Sequence, residues 1–194
     1  VHSDYESMNQ RAPVNKEISK LKNDKIIYLP RNPYVHNDTL FLGMCGWWDY
    51  NNSNEESMRK CMNYFDSWIP HFKQAENKLF INNVITEGQQ QINKIIKFIE
   101  NANDNDEIKN IIIVSHCVPL QKYCCQKNIA TEYHSNITQI LDNKILTSKI
   151  KKWVFGHIHH NICDSYENIK FIAHPRGRPE DFNRILYDTF DAKL

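Results

Sequence analysis

The sequence predicts a single layered α/β domain, and three observations carry that prediction. Short runs rich in β-branched and aromatic residues alternate with longer segments of helical periodicity, and strands follow one another more closely toward the C-terminus. One run, Ile111–Val114 (IIIV), is apolar without interruption, as strands covered on both faces are. No internal repeat and no Pro/Gly/Ser-rich linker divides the 194 residues, a length that suits one domain.

Taken in order, 25–29 (KIIYL) and 39–43 (TLFLG) read as strands, separated by a turn region containing Pro30 and Pro33. Ser53 and Glu56 have the spacing of a capping box. After them Met58, Cys61, Met62, Phe65 and Trp68 recur at helical spacing until Pro70 ends the run. A second helix is expected over 87–102, with Ile92, Ile95, Ile96 and Ile99 on one stripe, followed by a polar loop over 101–107. Beyond the 111–114 strand a third helix is expected over 135–146, facing inward with Ile137, Ile140, Leu141 and Ile145. Segments 152–155, 169–173 and 185–188 read as further strands.

Composition narrows the function classes. Lys+Arg 24 against Asp+Glu 23 gives a formal charge of +1, so bulk charge indicates no nucleic-acid groove. No apolar run reaches the ~18 residues of a membrane span, and no membrane partner is expected. The six cysteines (Cys45, Cys61, Cys117, Cys124, Cys125, Cys163) lack the spacing of a disulfide framework, which points to reduced thiols and an intracellular, cytoplasmic setting. Cys117 and Cys163 have no C-x-x-C companion that would make a structural zinc site. The pair Trp47-Trp48 reads as packing rather than a base-stacking platform.

The chemistry is concentrated where the scarce glycines are. Of five glycines, four fall in Gly43–Tyr50 (GMCGWWDY), Phe155–His159 (FGHIH) and Ala173–Gly177 (AHPRG). A fourth segment, Val114–Pro119 (VSHCVP), directly follows the buried run. A histidine just past the end of a buried strand projects from the sheet rim on a rigid support. Two adjacent strands of this kind would bring His116, His157 and His159 to one point. In extended geometry His157 and His159, at i and i+2, share a face, and Gly156 gives the backbone room to bend toward them. Neutral imidazoles favour Zn, Fe, Mn, Co or Ni over Ca or Mg. Taken singly, His116 reads as a polar residue closing a strand, and 156–159 as a turn with surface histidines. Their joint order and placement favour a metal site.

Together these segments resemble the calcineurin-like metallophosphoesterases. Ser115–Pro119 is similar to the family's Thr-His-His-x-Pro element and Gly156–His159 to its Gly-His-x-His element, with His157 standing 41 positions after His116. Gly43–Tyr50 resembles the Gly-Gly-Thr-Leu-Trp-Thr-Asp-Phe segment of one branch, and Pro175-Arg176-Gly177 its Asn-Pro-Arg-Gly. The resemblance covers residues 1–194 as the later part of one phosphoesterase domain. It implies a four-layer α/β/β/α sandwich, N-terminally incomplete, with two divalent transition metals (Mn, Fe, Zn or Co) sharing a hydroxide. By resemblance His116 and His157 bind the second metal, His159 the first, and Arg176 neutralises the phosphate.

The family's first-half motifs are absent: the chain has no Asp-x-His, no Gly-Asp and no Asn-His. Its opening Val1–Tyr5 (VHSDY) lies where Gly-Asn-His-Glu-Tyr would fall, which sets Val1 at the Asn ligand and His2 at the leaving-group acid. Two expectations follow. One is a metal-dependent phosphoesterase for a phosphomonoester or phosphodiester, its missing ligands supplied by an N-terminal segment or another chain. The other is a catalytically inactive phosphoesterase-fold subunit serving an assembly. A mononuclear histidine site with different chemistry stands behind both.

Overall fold

A computed structural model describes residues 27–30, 32–68, 74–124, 133–158 and 160–175, with 62–68 and 74–80 described by backbone alone. Its centre is a six-stranded mixed sheet in the order β1-β2-β3-β4-β6-β5. The strands are β1 Tyr34–His36, β2 Thr39–Met44, β3 Asn110–Ser115, β4 Ile150–Val154, β5 Ile162–Tyr166 and β6 Ile169–Ala173. The middle four run parallel, while β1 and β5 pair antiparallel to β2 and β6 as short hairpin edges. Parallel strands place all their carboxyl ends on one rim, where open α/β sheets bind ligands.

The helices are α1 Glu55–Trp68, α2 Gln74–Asn103, α3 Thr138–Leu141 and α4 Lys144–Thr147. The apolar stripe of α2 (Ile92, Ile95, Ile99, Ala102) packs with Leu40, Leu42, Met44, Ile111, Ile113, Trp153 and Phe171 in the main core. A second buried cluster joins Trp47, Trp48 and Tyr50 to Cys61 of α1, Ile81 and Val84 of α2, Cys117 and Tyr133. The carbonyls at the end of α2 are gathered by Lys149, whose Nζ donates to Ala102 O at 2.8 Å, Asn103 O at 3.1 Å and Asn105 O at 2.9 Å. A cation there complements the negative helix terminus.

Strand alternation turns Ile112, Val114, Val154 and Ile172 to the face opposite α2. Ile112 and Ile172 are buried there too. The second face is therefore mixed, since Lys152 and Lys170 lie on it beside Ile112, and Lys170 is exposed.

Several expectations change. Residues 27–28 are not in a strand and 29–30 are a turn; β1 lies instead within the stretch read as turn. Ser53 does not cap α1. Asn54 does, its Oδ1 accepting from Ser57 N at 3.0 Å and its carbonyl from Met58 N at 2.9 Å. The second helix begins earlier, at Gln74, and β5 is an additional strand. The expected helix over 135–146 resolves into α3 and α4, because Asn143 leaves helical geometry and caps α4 through Ile145 N and Leu146 N. Ile145, expected inward, is 73% exposed. Trp47 and Trp48 are buried packing residues as expected. The 185–188 strand, Pro70 and Cys125 lie outside the described residues. The other five cysteines form no disulfide.

Candidate functional site

The site is built on three strand ends. β2 leads into Cys45–Tyr50, β3 into His116, and β4 into Phe155-Gly156-His157. The main chain of His116 is gripped from both sides: its N–H donates to Cys45 O at 3.1 Å, and its carbonyl accepts from Gly156 N at 3.1 Å. Beneath it Ser115 is held by two bonds. Trp153 Nε1 donates to its Oγ at 3.0 Å, and the hydroxyl donates to Cys117 O at 2.8 Å. These bonds fix the strand end from which His116 projects.

His157 reaches the same point by a different route. Its φ is +68°, and Ile158 N donates to Gly156 O at 2.8 Å, so the residue sits at the centre of a γ-turn of the rarer, strained hand. The extended Gly-His-Ile-His reading fails here: at His157 the chain turns rather than runs straight, and the positive φ falls on the histidine, not on Gly156. A Cβ at Gly156 would meet only ordinary contacts, the nearest at 3.5 and 3.6 Å from His116 O and Nδ1. What holds the turn is Ile158, 1% exposed and part of the main core. Burying such a side chain is worth roughly 1.5–3 kcal/mol, enough to offset a left-handed residue at about 1–2 kcal/mol.

The rings of His116 and His157 meet edge to face with centroids 5.4 Å apart. His116 Nε2 and His157 Nδ1 are both buried nitrogens. Two imidazoles on one tetrahedral ion, with nitrogen–metal distances of ~2.0–2.1 Å, would have centroids about 5 Å apart. The pair fits that spacing. An aromatic wall backs His157, with Trp48 at 6.0 Å and Tyr133 at 6.5 Å, and these two rings contact each other at 4.6 Å. Tyr133 had no sequence signal, lying in a loop without periodicity.

The wall is carried by an unusual connection. Tyr50, Asn51, Asn52 and Ser53 all have positive φ, between 54° and 61°, forming one left-handed turn. Asp49 anchors it, accepting from Asn52 N at 3.2 Å and from Asn136 Nδ2 at 3.1 Å, while Asn136 also donates to Asn52 Oδ1 at 2.9 Å. Gly46, at φ +75°, admits Ser135, whose hydroxyl donates to its carbonyl; a Cβ there would lie 2.8 Å from Ser135 Oγ. Burial drives the Tyr50 hydroxyl well above its ordinary pKa.

No family model, curated protein or solved structure matches the chain. The geometry therefore stands on its own. His116 and His157 are brought together; His2, His159 and Arg176 lie outside the described residues. Among the described residues no group of three or more His, Cys, Asp and Glu side chains is gathered to hold a metal. The two imidazoles fit a transition metal in chemistry and spacing, and a complete coordination sphere needs further donors. No described helix is long and apolar enough to cross a membrane. A residue not singled out from the sequence is His174, immediately past β6. The strand-end rule that selected His116 and His157 applies to it equally.

Proposed function

We propose that this chain is the later part of a calcineurin-like metal-dependent phosphoesterase domain, acting on a phosphomonoester or phosphodiester. The observation that carries the reading is the meeting of His116 and His157, 5.4 Å between centroids, on the carboxyl rim of parallel strands. His116 and His157 would hold a divalent transition metal (Mn, Fe, Zn or Co), with His159 as the resemblance implies and a second metal ligated from outside the described residues. Such an ion supplies Lewis-acid polarisation of a phosphoryl oxygen. The chain's own part is to fix two imidazoles on rigid strand ends, with Trp48 and Tyr133 excluding water behind them. Arg176 would neutralise phosphate charge and His2 protonate the leaving group, both by resemblance. The apolar part of the sheet's second face (Ile112, Val114, Val154, Ile172), beside Lys152 and Lys170, is compatible with a further layer of the four-layer sandwich.

The test is metal binding and turnover by the full chain. Calorimetric titration with Zn(II) and Mn(II), and hydrolysis of an aryl phosphate, should both be lost in His116→Ala. Neither binding nor turnover in the wild type would overturn the reading.

A second reading, a non-catalytic phosphoesterase-fold subunit of an assembly, is favoured by one observation: no carboxylate joins the two imidazoles in a metal-holding group among the described residues. It predicts a folded protein that binds no metal at millimolar concentration.

A further inference from the structure

We infer that His174 is the proton donor to the leaving oxygen in the proposed phosphoester hydrolysis, an inference that rests on the phosphoesterase reading. β4 lies between β3 and β6, all three parallel. Val154 pairs with Val114 on one side and Ile172 on the other, and Phe155 N donates to Ile172 O at 2.9 Å, so the pairing of β4 with β6 runs one residue past the end of β4 and reaches Ala173, the last residue of β6. Extended one residue further, the same register sets His116, Gly156 and His174 in line.

The three share the face opposite α2. Trp153 and Phe171 stack at 6.2 Å within the main core, so Ile172 faces the other way, and continuing the alternation of β6 gives His174 that same side. Strand spacing of ~4.8 Å separates His116 and His174 by about 10 Å between Cα atoms. The residue between them is glycine, and a Cβ there would stand 3.6 Å from His116 Nδ1. The row thus presents two imidazoles flanking a position that carries no side chain. His174 is itself half-buried, on the rim but not sealed from it.

A phosphoryl group engaged at His116 and His157 would have its ester oxygen directed along the rim toward β6. As water's oxygen bonds to phosphorus, its protons staying with the phosphate product, and the phosphorus–oxygen ester bond breaks, the bonding pair stays on the leaving oxygen. The imidazolium N–H of His174 then transfers its proton to that oxygen, releasing an alcohol or phenol rather than its anion. This assignment takes the place of His2, the acid that resemblance suggests, which lies outside the described residues.

The experiment uses the full chain and aryl phosphates whose leaving groups run from 4-nitrophenol, which departs readily as an anion, to phenol, which does not. His174→Asn should lower kcat/KM for the phenyl ester by about 100-fold or more, within the range typical of acid catalysis, and that for the 4-nitrophenyl ester by less than threefold. Its metal content by plasma emission should equal the wild type's. Equal losses on both esters, no loss on either, or lost metal would overturn the assignment while leaving the phosphoesterase reading intact. No turnover by wild-type protein would remove both.

Discussion

The backbone of His157 is the point at which one residue's cost and one residue's use come apart. An L-residue at φ +68° is disfavoured by about 1–2 kcal/mol, less so for His, Asn and Asp. His157→Asn keeps a side chain that tolerates this conformation and removes the imidazole. Its urea midpoint should match or exceed that of the wild type, while Zn(II) affinity falls at least tenfold. A lower midpoint would show that the ring holds the turn, rather than the turn the ring. Asp164 offers a test of electrostatic sign. The Lys122 ammonium at 2.7 Å, with the Tyr123 hydroxyl at 3.0 Å, lowers its pKa below 3.8. A depressed carboxylate stabilises the fold above its unfolded value, and that contribution disappears as pH falls through the folded one. Wild-type protein should therefore exceed Asp164→Asn in thermal midpoint at pH 6, and the difference should shrink as pH falls through the folded carboxylate's range. The histidine rim was legible from residues alone, because a strand end is a local feature. The turn at His157 was not, since it depends on where Ile158 is buried.

Elements were legible in proportion to their burial. β2, β3 and β6 were visible as apolar runs because most of their residues are buried. β5 (ICDSY) was not, because its last four residues are exposed and show no apolar alternation. The 135–146 stretch has helical periodicity, yet Ser135 and Asn136 are drawn into bonds with Gly46 and Asp49, so the helix starts only at Thr138. Gly88 is an element-scale case in which local preference and packing oppose each other. Within a helix interior, Gly→Ala ordinarily gains about 1 kcal/mol. Here a Cβ would lie 2.7 Å from Trp47 O, a main-chain atom fixed by the neighbouring Gly46 N–H bond to Gln91 at 2.8 Å. Gly88→Ala should destabilise by roughly 1–3 kcal/mol, the cost of overpacking, measurable by urea unfolding. Stabilisation would mean that α2 and the Trp47 segment can slide apart.

At the scale of the whole molecule, the two buried clusters share an alkaline weakness. Tyr50 lies in one and Tyr123 in the other, and for both, burial is the largest cause of a pKa raised above 10.0. Each phenol stays protonated in the fold while its unfolded counterpart ionises, so stability is complete below pH 10 and declines above it. Far-UV circular dichroism during urea unfolding should give a midpoint that is flat from pH 8 to 9.5 and falls beyond pH 10.5. Tyr123→Phe should reduce that fall. The α/β class was readable from the alternation of runs, whereas the edge hairpins that complete the sheet were not. Those hairpins have a further consequence. A long parallel sheet with bare margins would recruit other chains strand by strand into fibrils. Here one margin is only three residues long and the other displays Asp164 beside Lys122, so an approaching chain meets little backbone on one side and fixed charge on the other. Among the described strands, then, fixed charge is what guards the longer margin, and neutralising Asp164 would leave it open to an incoming strand.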